Sequence, residues 1–518
     1  MKIVSVEQMQ TIERLADAAG VSYDRMMENA GRGIADWIAR HMCLERGVVG
    51  LVGSGNNGGD TIIALTWLAK WGARTMAFLL KQREGDPLLD EYLKYGGAVI
   101  DLSENAHLDV FQAVLIPGVV VLDGILGTGL RLPLRGSLRD VMAKIHKLLQ
   151  NRPDVLIIAV DCPSGVDCDT GAVSEVTIAA EHTLTMAAMK KGLLSHPARS
   201  YAGELHFIDI GIEDPSAYIA EEMPVLIDQK FAGSLFPERP DSGHKGTFGT
   251  CLVIAGSAPF TGAAYLAGKA AYRAGCGLVH MAALESVHRS LSGRLIEAVW
   301  TVLPALDGAY DPQSVPALSD VIQNARSVII GPGWGLSDQN LAFLHELLLL
   351  IPRTTPLVID ADALKLLAKL EQWWTLLPEQ VVLTPHPGEM GVLTGLEVAE
   401  IQSDRWQIAQ EYAPLWNVVL VLKGAMTVIA SPTAGMFINP ISDASLATAG
   451  SGDVLTGLIG GLMAQGASPT QASVLGVWVH ARAGVLAHIN MGIDQGVTAL
   501  DILDQLPEAL LKTKKAGL

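Results

Sequence analysis

Short apolar runs alternate with amphipathic stretches along most of this 518-residue chain. The runs occupy residues 48–52, 75–80, 119–123, 155–161, 251–256, 278–284, 327–333, 356–362, 381–388 and 418–424. Continuous apolar strands that alternate with helices are typical of parallel sheets covered on both faces. We therefore predict an α/β protein that binds its ligands at the carboxyl ends of the strands.

Two helices are predicted ahead of the first run. Ser5 and Gln8 fit a capping box, and Met27, Ala30 and Ile34 begin an apolar stripe that we interpret as core packing. A proline-containing stretch with little periodicity, residues 211–240, interrupts the alternation. Because single cores stop growing near ~250–300 residues, we predict two domains, residues 1–225 and 226–518.

The charge balance excludes several function classes. The chain has 37 basic and 54 acidic residues, a net charge of -17, and 49% hydrophobic residues. This disfavours binding to nucleic acid and to anionic membranes. The sequence pattern shows neither a signal peptide nor a run of the ~18–20 apolar residues that span a membrane. Five scattered cysteines indicate reduced thiols, and we expect a cytoplasmic protein.

A glycine-rich turn follows the first strand. Gly53, Gly55 and Gly58 satisfy the GxGxxG pattern of dinucleotide-binding folds. An ordinary NAD dehydrogenase would carry an acidic residue at the end of the next strand, but Lys81 and Gln82 stand there. The turn can still bind an anion through its backbone amides and the following helix N-terminus.

Two further strand ends carry polar loops. Asp123 leads into a second glycine-rich loop, and Asp161 is followed closely by Ser164. An Asp at a strand end is also a common turn former. The carboxyl ends of parallel strands meet at one edge of a sheet, so the three loops should converge on one crevice.

The motifs NNGGD, DGILGTGL and AVDCPSGVD together resemble the NAD(P)H-hydrate epimerase domain, a Rossmann-like three-layer αβα sandwich, over roughly residues 5–215. The resemblance implies that Asp161 is catalytic and that a potassium ion is held by Asn57, Asp123 and Ser164. It implies substrate contacts from Asn56, Asn57, Gly58, Gly59, Asp60, Gly127, Thr128, Gly129, Leu130, Arg131, Leu132, Pro133 and Asp161.

The second half carries its clearest motif at residues 447–457, ATAGSGDVLTG. Gly450 and Gly452 precede a helix, and Asp453 lies at its N-terminus. Free amides there can bind a phosphate, and the carboxylate can take a proton from a hydroxyl. Taken alone, the motif also fits an ordinary Asp-capped helix after a flexible loop.

Four further motifs favour the phosphate-binding interpretation over an ordinary capped helix. HKGTFG, GPGWG, TPHPGEM and KGAMT stand in order along residues 244–427, and together with the GSGD loop they resemble the ribokinase-like NAD(P)H-hydrate dehydratase domain, an αβα sandwich, over roughly residues 230–510. The resemblance implies that Asp453 is catalytic and that Ala263, Gly335, His386 and Asp453 contact the substrate. It implies nucleotide binding by Lys423, Gly424, Ala425, Met426, Thr427 and Gly452. The chain departs from the most glycine-rich form of the loop at Ala447 and Ala449, which cannot easily take positive φ.

The resemblance implies a bifunctional enzyme that repairs hydrated NADH and NADPH. One domain would epimerise the R and S hydrates. The other would dehydrate the S hydrate with magnesium and ADP or ATP, ADP being favoured for a fused chain; a homo-oligomer is also implied. Two alternatives stay open: a ribokinase-like small-molecule kinase fused to a nucleotide-binding domain, and a non-catalytic binding protein.

Overall fold

The computed structural model describes residues 1–102, 107–220 and 222–517. The chain divides into two compact units, Met1–Pro224 (unit 1) and Val225–Leu518 (unit 2). The division falls beside the boundary predicted from the proline-containing stretch.

Unit 1 is built on a seven-stranded parallel sheet with the strand order β4-β3-β2-β5-β6-β7-β9. The strands of this unit are β1 Ile3–Val4, β2 Val48–Val52, β3 Thr75–Leu79, β4 Ala98–Asp101, β5 Val120–Gly124, β6 Leu156–Val160, β7 His182–Met186, β8 Met189–Lys190 and β9 Glu204–Ile208. Its helices are α1 Val6–Ala18, α2 Tyr23–His41, α3 Asn56–Lys70, α4 Pro87–Lys94, α5 Leu108–Val114 and α6 Gly136–Leu149.

Helices cover both faces of this sheet. Val48 and Val52 of β2 join one hydrophobic cluster together with residues of α1, α2 and α3. Val49 and Leu51 of the same strand point to the opposite face and join a second cluster with α5 and α6. Alternate residues of a strand face opposite sides, so β2 is buried on both faces of the sheet, as its continuous apolar run predicted. The three-layer αβα class is confirmed for this unit.

Unit 2 is built on a ten-stranded, mostly parallel sheet with the order β10-β21-β20-β19-β18-β17-β16-β11-β12-β13. Its strands are β10 Val225–Leu226, β11 Thr250–Ile254, β12 Leu278–Leu284, β13 Val299–Leu303, β14 Ala305–Leu306, β15 Ala309–Tyr310, β16 Ser327–Ile330, β17 Leu357–Ile359, β18 Val381–Leu383, β19 Val419–Leu422, β20 Val428–Ser431 and β21 Gly435–Ile438. Its helices are α7 Gln229–Gly233, α8 Thr261–Ala274, α9 Glu285–Leu291, α10 Ser319–Asn324, α11 Asp338–Leu350, α12 Asp362–Leu367, α13 Pro387–Thr394, α14 Val398–Ser403, α15 Arg405–Trp416, α16 Ser451–Ala464, α17 Pro469–Met491 and α18 Ala499–Gly517.

The central strands of unit 2 are buried at every position. This holds for β16, β17, β18 and β19. Parallel strands covered on both faces have this pattern, and it confirms the predicted α/β class here too. The antiparallel pairs of the ten-stranded sheet are β19–β20 and β20–β21, and β14 and β15 form a separate antiparallel sheet of two strands.

Two glycines hold helix α16 against helix α8. A Cβ atom on Gly457 would lie 2.2 Å from the carbonyl oxygen of Ala267, and one on Gly461 would lie 2.6 Å from that of Ala271. Neither distance is tolerable, so only glycine lets the two backbones approach this closely. The helix that follows the GSGD loop is therefore fixed to the core.

Helix α17 is long and apolar enough to cross a membrane by length and composition, although the sequence analysis found no such run. It is the one helix of this kind among the described residues, and 78% of its apolar window is buried inside the protein. Buried core helices of globular proteins have the same character.

Two candidate active sites at the carboxyl ends of the strands

The three polar loops of unit 1 converge, as predicted, on one cavity of about 640 Å³. The chain leaves β2 toward β3 on one side and leaves β5 toward β6 on the other, which opens a crevice between β2 and β5. The predicted residues that line the cavity are Asn56, Asn57, Asp60, Gly127, Thr128, Gly129, Leu130, Arg131 and Asp161.

Four predicted substrate-binding residues are not among the residues that line it: Gly58, Gly59, Leu132 and Pro133. Gly58 and Gly59 are buried within α3. A Cβ atom on Gly58 would lie 2.1 Å from the carbonyl oxygen of Gly53, and one on Gly59 would lie 2.9 Å from the sulfur of Met27. These two glycines permit close packing of the turn, and their role in binding stays a prediction.

Asp161 lies directly after β6 with a positive φ of 66°. Its Oδ1 accepts hydrogen bonds from the Nζ of Lys190, from Thr185 Oγ1 at 3.2 Å and from the backbone N–H of Met186 at 3.1 Å. Among the described residues, none donates to its Oδ2. One oxygen is therefore fixed by the protein, and the other is available to a ligand in the cavity.

Lys190 is a residue that the sequence analysis missed. It is 1% exposed, and its Nζ also donates to the carbonyl oxygen of Met186 at 3.0 Å. Burial acts to lower the pKa of Lys190, but the attraction of Asp161 outweighs burial and raises it above its usual value. The ammonium group thus stays charged, and the pair forms a buried salt bridge beside the cavity.

Two more carboxyl groups lie near the Asp161–Lys190 pair. Burial, followed by the negative charge of Asp161, raises the pKa of Asp60 well above its usual value. Burial also raises the pKa of Glu13, which lines the same cavity and was not predicted as a site residue. Protonation of Asp60 is therefore favoured relative to that of an exposed aspartate, and the protonated form can donate a hydrogen bond.

The three residues predicted to hold potassium lie together under this cavity. Asp123 Oδ1 accepts from Ser164 Oγ at 2.5 Å, and its Oδ2 accepts from the backbone N–H of Ser164 at 2.7 Å. The side-chain amide of Asn57 lies 3.3 Å from the carbonyl oxygen of Leu126 and 2.6 Å from that of Val160. Burial raises the pKa of Asp123 to about 6.

Unit 2 has a larger cavity, of about 760 Å³, at the ends of β17, β18 and β19. The predicted residues that line it are His386, Lys423, Gly424, Ala425, Thr427, Gly452 and Asp453. Met426 is buried with a positive φ of 54°, and Ala263 and Gly335 are not among the lining residues.

Lys423 is held by two buried acids at the rim of this cavity. Its Nζ donates to Asp360 Oδ1 at 2.9 Å and lies 3.7 Å from Glu389 Oε2. Thr456 Oγ1 occupies the other oxygen of Asp360 at 2.7 Å. Burial acts to lower the pKa of Lys423, but Asp360 and Glu389 raise it. Neither Asp360 nor Thr456 was among the predicted site residues.

Asp453 lies in the first turn of α16, as predicted. Burial, then the negative charge of Asp360, raises the pKa of Asp453 to about 7. The helix begins after Gly450, whose φ is 87°, and no side chain caps it. Ala447 has a φ of -83°, and Ala449 is not among the positive-φ residues. The two alanines therefore cost the loop no backbone strain, because the turn that requires a left-handed residue still has glycine.

Of the three other residues predicted to contact the substrate, His386 lines this cavity, whereas Ala263 and Gly335 do not. His386 caps α13 through its Nδ1, which accepts from the N–H groups of Gly388 at 3.0 Å and Glu389 at 3.2 Å. Gly335 donates its N–H to Asp362 Oδ2 at 2.9 Å. Ala263 faces the same loop, since its Cβ lies 3.0 Å from the position of a Cβ on Gly333.

Comparison with known proteins assigns the two units separately. The family described as YjeF-related protein N-terminus matches residues 23–192, and the family described as NAD(P)H-hydrate dehydratase matches residues 251–508.

Full-length relatives match as well. The bifunctional NAD(P)H-hydrate repair enzyme Nnr of Moorella thermoacetica is 37% identical over 98% of this chain and 97% of its own length. The Escherichia coli protein of the same name is 32% identical over 95% of this chain and 90% of its own length. Among solved structures, the ADP/ATP-dependent NAD(P)H-hydrate dehydratase from Bacillus subtilis, co-crystallised with ATP and Mg²⁺, is 31% identical, with a TM-score of 0.49 over 56% of this chain and 99% of that one.

Proposed function

The chain belongs to the family of bifunctional NAD(P)H-hydrate repair enzymes, and from this premise we propose which residues carry out its two reactions. Unit 1 epimerises the R and S hydrates of NADH and NADPH, and unit 2 dehydrates the S hydrate to NAD(P)H. The observation that supports this assignment is the presence, in each unit, of a strand-end cavity lined by a buried acid that is paired with a lysine.

In the epimerase site, Asp161 acts as the acid-base residue. The hydrated carbon bears a hydroxyl group and is bonded to the ring nitrogen, so its configuration can be lost and regained with modest proton transfer. Lys190 holds Oδ1 of Asp161, which leaves Oδ2 to exchange the proton with the substrate. Asp60 faces the same cavity, and its raised pKa favours the protonated form, which can donate a hydrogen bond to the bound hydrate.

Potassium fits the oxygen-rich cluster below this cavity. The side-chain amide of Asn57 contacts the carbonyl oxygens of Leu126 and Val160. Ser164 Oγ lies 3.5 Å from the same Leu126 oxygen and 2.5 Å from Asp123 Oδ1, so four oxygens cluster beside this amide. Turning this amide over would add a fifth oxygen, and alkali cations prefer such ligands. When bound, potassium would supply positive charge close to the substrate anion.

In the dehydratase site, Asp453 takes the proton from the substrate hydroxyl as that oxygen forms a bond to the transferred phosphoryl group. The bond from phosphorus to the leaving nucleotide breaks in the same step. Phosphate is a better leaving group than hydroxide, so it then departs with the C–O bond electrons. The lone pair of the ring nitrogen forms a C=N bond as the phosphate leaves. The adjacent carbon then loses a proton to water, and the electrons of that C–H bond restore the dihydronicotinamide. The pKa of about 7 suits Asp453 to accept a proton near neutral pH.

The adenine nucleotide binds across residues 423–427 and the start of α16. Lys423 supplies positive charge at the cavity wall, and the uncapped amides of the first turn of α16 face the phosphates. Asp360 and Asp453 give this cavity the carboxylates with which proteins bind magnesium together with phosphate oxygens. When bound, magnesium would neutralise phosphate charge during transfer. ADP is the proposed donor, giving AMP and phosphate, as the resemblance favours for a fused chain.

The test follows the return of dihydronicotinamide absorbance from a mixture of both hydrates, with purified protein, potassium, magnesium and ADP. We expect full recovery with the native chain, recovery that stops early with Asp161→Asn, and none with Asp453→Asn. Asp338→Asn, which removes an acid from the start of α11, is the matched control and should behave as the native chain. A phosphorylated hydrate that accumulates without recovery would replace the proposal with the kinase alternative.

A further inference from the structure

A second cluster of ionisable side chains lies on the sheet of unit 1, away from the cavity. His182 lies on β7, and Glu204 and His206 lie on the neighbouring strand β9. His182 pairs in register with Glu204, and Glu204 and His206 are two residues apart. Alternate residues of a strand share a face, so the three side chains project from the same side of the sheet.

The three ligand atoms form a compact triangle. His182 Nδ1 and His206 Nε2 are 3.1 Å apart, and Glu204 Oε2 lies 3.6 Å from the first and 3.7 Å from the second. A point equidistant from the three atoms lies about 2.0 Å from each of them, which is the bond length that zinc makes to imidazole and carboxylate ligands. In a tetrahedral zinc site, neighbouring ligand atoms are separated by about 3.3 Å.

The surroundings suit a metal ligand set. The side chains of His182 and His206 are 20% and 22% exposed, whereas that of Glu204 is 70% exposed, so an ion can enter from solvent past the carboxylate. Trp37 of α2 packs against both histidine rings: its ring centroid lies 5.1 Å from that of His182 and 4.6 Å from that of His206.

We propose that His182, Glu204 and His206 form a zinc site that joins β9 to β7, with water in the fourth position. Two histidines and one glutamate are a donor set that zinc accepts. None of the three residues lines the cavity of unit 1, so the ion would brace the last two strands of the sheet rather than take part in epimerisation.

The test first removes metal from the tag-free, full-length protein with chelator and dialysis. It then measures how much added zinc the protein binds in excess potassium and magnesium. We expect one zinc ion per chain. Because Trp37 lies against both histidines, Cu²⁺ in place of zinc should quench part of the tryptophan emission of the chain. Glu204→Gln keeps the shape of the exposed side chain and should weaken zinc binding at least about tenfold. His206→Gln should abolish binding at this site.

The matched control is His345→Asn. His345 Nδ1 lies 3.5 Å from Glu346 Oε1, but among the described residues this pair is not part of a group of three possible metal ligands. The loss of His345 should therefore leave zinc binding unchanged. Cys43→Ser removes the exposed thiol and should also leave it unchanged. Zinc binding that survives both Glu204→Gln and His206→Gln, or that disappears with Cys43→Ser alone, would overturn the proposal, as would the absence of binding to the native chain.

Discussion

Replacing Lys190 by methionine tests the buried pair that positions Asp161. Methionine has a similar length but cannot donate a hydrogen bond, so Asp161 would keep only the donors from Thr185 and Met186. A carboxylate that is 7% exposed would then lack its counter-ion. Removing one partner of a buried pair costs about 3–5 kcal/mol of the free energy of unfolding, a large share of the ~5–15 kcal/mol that stabilises a typical domain.

Lys70→Met is the matched control. Its Nζ lies 3.4 Å from Glu91 Oε1 in a salt bridge that is open to solvent, with side chains that are 26% and 43% exposed. Exposed pairs of this kind contribute at most about 1 kcal/mol. The double variant Asp161→Asn with Lys190→Met leaves no unpaired charge and should be more stable than Lys190→Met alone.

Hydrogen exchange followed by mass spectrometry measures the free energy of unfolding of unit 1 separately from that of unit 2. Lys190→Met should also lose epimerisation of the R hydrate and keep dehydration of the S hydrate. A loss of stability no larger than that of Lys70→Met, with epimerisation intact, would refute the reasoning.

Dehydration should follow the protonation of Asp453, whose pKa burial raises to about 7. Below that pH the carboxylate is lost, so kcat/KM should fall about tenfold per pH unit; a flat profile would contradict this role. Burial raises the pKa of Asp123 to about 6, so potassium should raise the melting temperature more above this pH than below it, and Asp123→Asn should remove that difference. Gly450→Ala should cost about 1–3 kcal/mol and lower dehydratase activity, because its φ is 87° and its Cβ would lie 2.6 Å from Leu266. Gly466→Ala is the control for this change, since its φ of 97° is similar but its Cβ would meet no atom within 4 Å. Equal activity losses in the two alanine variants would contradict the contact argument.

The strands that are buried on both faces could be predicted closely. The apolar runs 48–52 and 278–284 coincide with β2 and β12. Strands β7 and β9 were missed, because His-Thr-Leu-Thr-Met and Glu-Leu-His-Phe-Ile alternate polar with apolar residues in short segments. Such segments give a weak signal unless their position beside a partner strand is known.

The motif acids could also be predicted, but their partners could not. Asp161 and Asp453 stand in recognisable loops, whereas Lys190 reaches Asp161 only through the pairing of β6 with β7 and the turn into β8. The signal in the sequence was Lys190, which ends the apolar stretch that follows β7. A lysine among buried residues usually has a charged partner. The pKa shift of Asp453 depends on burial, which no local pattern reports.

The glycine contacts between α16 and α8 affect how the protein loses its dehydratase activity on heating. Asp453 and the proposed phosphate-binding turn lie on helix α16, whose backbone packs directly against helix α8. Active-site segments in many enzymes open locally well before the whole domain unfolds. Here the turn that carries Asp453 cannot separate from the core without breaking that helix contact. Dehydratase activity should therefore persist until unit 2 unfolds as a whole, and inactivation and unfolding should share one midpoint temperature.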